Sequence, residues 1–141
     1  MSWTKPLLQD LHDKLSPSEF ERLIYALLDK MGFSELELKG KPGDEGVDLL
    51  ASWTPELPEL EVSLDFVIQV KRLDPERTLN PRIVRELRGS ISSGQWGLLV
   101  TTGKVSANTR EEGLKDSSRI VSIIDGPQLA KLCGQYGVAA K

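Results

Sequence analysis

Residues 43–50 read Gly-Asp-Glu-Gly-Val-Asp-Leu-Leu, and residues 65–72 read Asp-Phe-Val-Ile-Gln-Val-Lys-Arg. Each stretch contains an apolar run that is typical of a buried strand. Asp48 interrupts the first run, and Gln69 and Lys71 interrupt the second. A buried charge is costly without a partner, so these side chains require ion-pair partners, solvent or a metal ion.

The spacing of these polar residues predicts that they meet on one surface. Side chains alternate between the faces of a strand, so Gln69 and Lys71 project from the same face. If the two strands pair, Asp48 stands opposite them. Oxygen ligands of this kind suit a divalent ion such as Mg²⁺, and the lysine could orient a water or stabilise charge on a phosphate. The alternative is a buried polar network on an edge strand.

The composition indicates one ordinary domain. The chain has 141 residues, of which 39% are hydrophobic and 28% charged, so it can form a core and is not disordered. The net charge of -3 gives no global attraction to nucleic acid, so any such binding requires a local basic patch. The single cysteine, Cys133, excludes an internal disulfide. No apolar run is long enough to span a membrane and no signal-peptide pattern is present, so we expect a cytoplasmic protein.

Capping residues and apolar spacing predict the order α, α, β, β, β, α, β, α, β, α. Ser16 to Glu19, for example, forms a capping box that starts a helix. The predicted helices lie within 1–15, at 17–31 with an end at Gly32, at about 81–92, from Ser106 to about 115 and at 127–133, and the tail from 134 is expected to fray. The predicted strands lie at 36–39, 47–52, 64–72, 97–102 and 120–124, with a Gly- and Pro-rich turn at 40–46. The four apolar residues of the third strand suggest a central position in the sheet. Successive strands suggest an antiparallel meander, and the following β-α-β-α-β stretch implies parallel pairing. We therefore expect an α/β fold in which helices flank both faces of a mixed central β-sheet.

The ordered motifs resemble the catalytic core of the Mrr-type restriction endonucleases, within the PD-(D/E)XK nuclease superfamily. The core motif is Gly43-Asp44-Glu45-Gly46-Val47-Asp48 followed by Gln69-Val70-Lys71, in the branch where glutamine replaces the second acidic residue. Phe20-Glu21, Leu99-Val100-Thr101-Thr102-Gly103 and Ile123-Ile124-Asp125-Gly126 also match family elements in order. The resemblance implies a restriction-endonuclease-like core at about 17–133 within a single domain of residues 1–141.

The resemblance also implies roles for individual residues. Asp48 would be the main ligand of Mg²⁺ or Mn²⁺, with Gln69 through its side-chain oxygen and Val70 through its main-chain carbonyl. Lys71 would position or activate the attacking water, and Glu21 would complete the acidic cluster. Without the resemblance, Glu21 is read as a first-turn carboxylate that stabilises its helix. The implied reaction is hydrolysis of phosphodiester bonds in DNA.

A local excess of positive charge predicts where DNA would bind. Arg72, Arg82 and Arg85 belong to a basic stretch, and the last two fall on the exposed face of a predicted helix. Thr101, Thr102 and Ser106 precede or cap a helix whose free N–H groups could receive a phosphate. The alternatives are a solvated helix face for the arginines and ordinary helix capping for Ser106.

Two features depart from the family pattern. The chain leaves no room for the winged-helix DNA-binding domain that often accompanies such nucleases, so we expect a homodimer or a separate targeting protein. The acidic connection at 53–63 would repel a phosphate backbone if it lay at the cleft. The open alternatives are a resolvase-like nuclease selective for DNA structure, a catalytically silent nucleic-acid-binding or assembly module, and an α/β domain that serves only oligomerisation.

Overall fold

The computed structural model describes residues 4–39, 47–55, 59 and 62–138, and these form five helices and five strands in the predicted order. The helices are α1 (Thr4–Asp13), α2 (Pro17–Met31), α3 (Pro81–Gly89), α4 (Ala107–Leu114) and α5 (Gly126–Tyr136). The strands are β1 (Ser34–Leu38), β2 (Leu49–Trp53), β3 (Leu64–Lys71), β4 (Trp96–Thr101) and β5 (Val121–Ile124).

The described strands form one mixed sheet in the order β1-β2-β3-β4-β5. β1, β2 and β3 pair antiparallel, whereas β3, β4 and β5 pair parallel. This arrangement confirms the predicted meander and the parallel part. It also confirms the central position of β3, which its run of apolar residues indicated.

Each face of the sheet is covered by helices. On one face, Ile68 packs in a core with residues of α1, α2 and α5, including Leu8, Ile24 and Leu129. On the other face, Val67 packs with residues of α3, including Val84 and Leu87. The alternation along β3 therefore places odd-numbered residues towards α3 and even-numbered residues towards α2.

Some predicted boundaries were wrong. α3 ends at Gly89 rather than near Ser92, because the N–H of Ser90 turns back to the carbonyls of Leu87 and Arg88. α5 continues to Tyr136, although we expected a frayed tail from residue 134. Gly137 ends it with a φ of 69°, and its N–H donates to the carbonyl of Cys133.

Two further sequence predictions concern a turn and the absence of a membrane span. The predicted turn at 40–46 lies outside the described residues. In the part of the chain that is described, no helix combines the length and the apolar character needed to cross a membrane.

Candidate active site

Asp48 lies at the point where β2 and β3 stop pairing. Its N–H donates to the carbonyl of Ile68 at 2.8 Å, and its carboxylate Oδ2 accepts from the N–H of Val70 at 2.7 Å. We predicted Asp48 within the second strand, but β2 begins one residue later, at Leu49. The reason is that the N–H of Val70 bonds to the Asp48 side chain, which fixes the carboxylate at the end of the sheet.

Glu21 reaches Asp48 from α2, which packs on the face of the sheet towards Ile68. The predicted capping box is confirmed: the Ser16 N–H donates to Glu19 Oε1 at 2.7 Å, and the Glu19 N–H donates to Ser16 Oγ at 3.2 Å. Phe20 is 1% exposed and anchors the first turns of the helix in the core. These contacts fix the start of α2 and present the next side chain, Glu21, to a hydrogen bond with the Asp48 carboxyl.

The contact between the two carboxyl groups alters their protonation. Burial, the nearby charge of Asp48 and the hydrogen bond between the groups raise the pKa of Glu21 to about 6. Burial also raises the pKa of Asp48, against the opposing effects of the Val70 N–H, Glu21 and the positive charge of Lys71. Two carboxyl groups in contact cannot both ionise cheaply, so the pair holds a proton above the usual carboxyl range. A bound cation would favour release of that proton.

Gln69 and Lys71 lie on the face of β3 that points towards α3, as alternation predicted. Gln69 is 4% exposed, and its Oε1 atom is buried with no hydrogen-bond partner among the described residues. Lys71 is half-buried, close enough to Asp48 for its charge to lower the pKa of that carboxyl. A buried amide oxygen without a partner is costly, and a bound ion or water would satisfy it.

These oxygen atoms fit a divalent ion of the magnesium type. The protein supplies the carboxylates of Glu21 and Asp48 and the unpartnered Oε1 of Gln69, and Mg²⁺ keeps several waters besides few protein ligands. Within the described residues, no three or more His, Cys, Asp or Glu side chains group together, so a zinc-type site is not formed there. Asp44 and Glu45 lie outside those residues. The metal role predicted for the Val70 carbonyl stays a prediction.

Three residues that we predicted to contact DNA form hydrogen bonds with main-chain groups of the protein instead. Thr101 and Thr102 are fully buried. The Thr101 hydroxyl accepts from the N–H of Gly103 at 3.0 Å, and the Thr102 hydroxyl bonds both the N–H and the carbonyl of Leu73. Their hydroxyl groups therefore hold the chain after β3 and β4, and a phosphate contact would have to break these bonds.

Arg72 also points inward. Its Nη1 atom donates to the carbonyl of His12 at 2.5 Å and to the carbonyl of Leu15. The His12 ring also contacts Asp13 Oδ1 at 2.9 Å. No local sequence pattern predicts the bond between Arg72 and His12, because the two residues are 60 positions apart.

Arg82, Arg85 and Ser106 are exposed, as expected. Arg82 pairs with Glu86 at 3.4 Å, and an exposed pair of this kind is weak. Arg85 lies 3.9 Å from the half-buried Glu112, which pairs more closely with Arg88 at 3.0 Å. Ser106 caps α4 by accepting from the N–H of Thr109 at 3.2 Å. α3 and α4 follow parallel strands, so both begin at the end of the sheet that carries Lys71. These three residues thus lie at the same end of the molecule as the carboxyl pair.

The acidic connection between β2 and β3 leaves the sheet at the other end. Trp53 pairs with Leu64 where the connection begins and ends, whereas Leu49 pairs with Ile68 beside the carboxyl pair. The two pairs are four positions apart along each strand, which corresponds to about 13 Å. The two ends of this connection therefore lie away from the carboxyl pair, so they do not cause the repulsion of a phosphate backbone that we considered for the cleft.

Comparison with known proteins identifies the family and the fold of the chain. The model of the restriction endonuclease family Mrr_cat matches residues 12–133. The solved structure of the MspJI restriction endonuclease in complex with a 27-mer oligonucleotide matches with a TM-score of 0.81 and 23% identity, over 99% of this chain and 33% of that one. The DNA modification-dependent restriction endonuclease AspBHI matches with a TM-score of 0.73 and 20% identity, over 98% of this chain and 36% of that one.

These matches show a restriction-endonuclease-like fold. The chain spans about a third of the length of each of the two solved structures it matches. None of the curated proteins matches the sequence significantly.

Proposed function

Because the chain belongs to the Mrr_cat restriction endonuclease family, we propose that it is a metal-dependent nuclease that hydrolyses phosphodiester bonds in DNA. The observation that carries the proposal is the contact between the Glu21 and Asp48 carboxyl groups, where Asp48 also bonds the N–H of Val70, the residue that follows the unpartnered Gln69 on β3. Carboxyl groups with raised pKa values and buried oxygens without a partner cluster at functional sites, which favours this proposal over a purely structural network.

We assign the binding of Mg²⁺ or Mn²⁺ to Asp48, Glu21, Gln69 Oε1 and the Val70 carbonyl. A divalent ion in this position supplies positive charge that stabilises the scissile phosphate and lowers the pKa of a bound water. The N–H of Val70 orients the Asp48 carboxylate, and the contact with Glu21 holds the proton that the pair gives up on binding. Lys71 places a positive charge beside Asp48, where it can hydrogen-bond the attacking water or a phosphate oxygen.

DNA would approach the end of the sheet where α3 and α4 begin. Arg82 and Arg85 are exposed there, and their ion pairs with described residues are 3.4 Å and 3.9 Å long, so their charge is available to phosphates. Ser106 lies at the positive end of α4. Cleavage of both strands requires two such sites, so we propose that the active form is a homodimer or a complex with a targeting protein.

The proposal is tested by incubating the purified chain with plasmid and linear DNA and either Mg²⁺, Mn²⁺ or EDTA. Asp48→Asn and Lys71→Met should each lower cleavage by at least about a hundredfold, because each removes a charge from the reacting centre. The matched controls are Asp65→Asn and Lys131→Met, which remove the same charges from exposed positions away from the carboxyl pair. Both controls should cleave at the native rate.

The outcome distinguishes the proposal from its rivals. Unchanged cleavage by Asp48→Asn and Lys71→Met would refute the assignment of the site. DNA binding without cleavage, together with no uptake of Mn²⁺ in calorimetry, would identify a catalytically silent module. A comparison of linear, nicked and four-way DNA would separate a general endonuclease from a nuclease that is selective for DNA structure.

A further inference from the structure

Arg72 connects the two halves of the candidate active site. It directly follows Lys71 at the end of β3, and its guanidinium crosses to the connection between α1 and α2. There it donates to the carbonyl of His12, one of the last carbonyls of α1, and to the carbonyl of Leu15. Terminal helix carbonyls have no partner within the helix, and a cation at this end of a helix is favourable.

The carbonyl of Leu15 lies immediately before the start of α2. Ser16 is the N-cap of that helix, and the capping box fixes the direction in which the helix leaves the connection. Glu21 follows five residues later, about 7.5 Å along the helix axis. A shift of the connection is therefore transmitted through a rigid helical turn to the Glu21 carboxyl.

The strand side of the connection is also rigid. β3 pairs with both β2 and β4, and the residue after Arg72, Leu73, has its N–H and carbonyl bonded by the Thr102 hydroxyl. Arg72 thus lies on a fixed strand end and bonds the connection that leads into α2, the helix that contains Glu21. Lys71 and Asp48, by contrast, are placed by the sheet itself.

We propose that Arg72 is a positioning residue that holds the Glu21 carboxyl against Asp48, and thereby sets the affinity of the site for a divalent ion. This inference rests on the proposed function, because it assigns a role in metal binding. It replaces the role in DNA contact that the sequence suggested for Arg72. Contacts that orient metal ligands typically contribute about tenfold to a hundredfold in metal affinity.

Electrostatics alone predicts the opposite sign. Removing a positive charge near a cation site favours cation binding. If Arg72 acted only through its charge, Arg72→Met would bind Mn²⁺ more tightly. If it acts by holding Glu21, Arg72→Met binds Mn²⁺ about tenfold more weakly. Arg22→Met is the matched control, since it removes an exposed arginine next to Glu21 on the same helix and should bind Mn²⁺ no more weakly than the native chain.

The decisive experiment is a double-mutant cycle measured by Mn²⁺ titration with calorimetry or electron paramagnetic resonance, without DNA. The variants are Arg72→Met, Glu21→Gln and the double variant, each at a temperature well below its thermal midpoint. We expect Arg72→Met to weaken Mn²⁺ binding about tenfold in the native background and to have almost no effect in the Glu21→Gln background. If Arg72→Met does not fold, Arg72→Lys replaces it. The expected result is the same: weaker Mn²⁺ binding in the native background and almost no effect in the Glu21→Gln background.

Other outcomes overturn the inference in recognisable ways. Equal losses in both backgrounds would show that Arg72 acts on stability or on the whole site rather than through Glu21. The Arg72→Met variant could instead keep its Mn²⁺ affinity and bind DNA, in the presence of Ca²⁺, with a salt-dependence slope that is lower by about one. That result would show that Arg72 contacts a phosphate. A native chain that binds no Mn²⁺ refutes the proposed function as well, whereas native binding with an additive cycle refutes only this inference.

Discussion

The raised pKa of Glu21 predicts that this residue contributes less to the stability of the metal-free protein as pH rises through the weakly acidic range. The folded chain holds the Glu21 proton more tightly than the unfolded chain does, because burial and the adjacent Asp48 disfavour its ionised form. The contribution is therefore fully present below pH 4.5 and is lost as pH rises through about 6. The perturbation that isolates it is Glu21→Gln, which keeps the shape of the side chain and cannot ionise.

The size of the effect follows from the pKa values. A rise from the ordinary value of 4.5 to about 6 corresponds to at most about 2 kcal/mol, and we take about 1 kcal/mol because Glu21 is only partly buried and solvent screens it. Urea unfolding in EDTA at pH 4.5 and pH 7 measures the free energy of unfolding of both chains. Relative to the native chain, Glu21→Gln should become more stable by about 1 kcal/mol between these two pH values.

Glu19→Gln is the control for this measurement. Glu19 lies two residues away on the same helix, but hydrogen bonds from Ser16 lower the pKa of its carboxyl. Its contribution is present above its ordinary pKa and is lost as pH falls, so Glu19→Gln should show the opposite trend with pH. Identical pH trends for the native chain and Glu21→Gln would refute the contact between Glu21 and Asp48 in solution.

Further predictions concern buried polar atoms and close backbone contacts, each measured by urea unfolding without metal. Gln69→Met removes an unpartnered buried oxygen and should raise the free energy of unfolding by about 1 kcal/mol. Thr101→Val removes the hydrogen bond between the Thr101 hydroxyl and the N–H of Gly103 and should lower the free energy of unfolding by about 1 to 2 kcal/mol. A loss of stability in Gln69→Met would show that its oxygen has a partner in solution. Gly113→Ala places a Cβ 2.3 Å from the Val121 carbonyl oxygen and should cost about 2 kcal/mol or more, while Gly89→Ala meets nothing within 4 Å and should be neutral or stabilising by about 0.5 kcal/mol. Equal stabilities of these two alanine variants would contradict the close packing of α4 on β5.

The sequence predicts the order and type of the elements because their signals are local. The capping box at Ser16 and the left-handed Gly32 mark the two ends of α2, and both are confirmed. The apolar run of β3 predicts its central position, since a strand buried on both faces lacks an alternating pattern. The C-terminal ends of α3 and α5 were less predictable, because backbone hydrogen bonds rather than side-chain signals decide where these helices end.

The candidate site is predictable only in part from the sequence. The interrupted apolar run indicated Asp48 and the family resemblance added Glu21, and the structure brings the two into contact. The burial and missing partner of Gln69 Oε1 depend on the packing of α3 over β3, which no local pattern reveals.

The residues that we expected to contact phosphates show the limits of reading charge and hydroxyl groups from sequence. Arg72 looks like its exposed neighbours Arg82 and Arg85, yet its partners are main-chain carbonyls 57 and 60 residues earlier. Thr101 and Thr102 look like a phosphate-binding turn, yet their hydroxyls satisfy buried backbone groups. In each case the deciding contact is long-range or involves the backbone, so the side-chain pattern does not report it.

The hairpin of β2 and β3 carries Asp48 of the carboxyl pair at one end and the connection between the two strands at the other. A peptide inserted between Trp53 and Leu64 would have its ends anchored by a strand pair, at the end of the hairpin away from Asp48. Thr54 and Val62, which follow and precede these strands, are exposed, and exposed chain segments tolerate insertion well. The same position therefore offers an attachment point at which an affinity tag, a fluorophore or a targeting module can be added while the carboxyl groups keep their spacing.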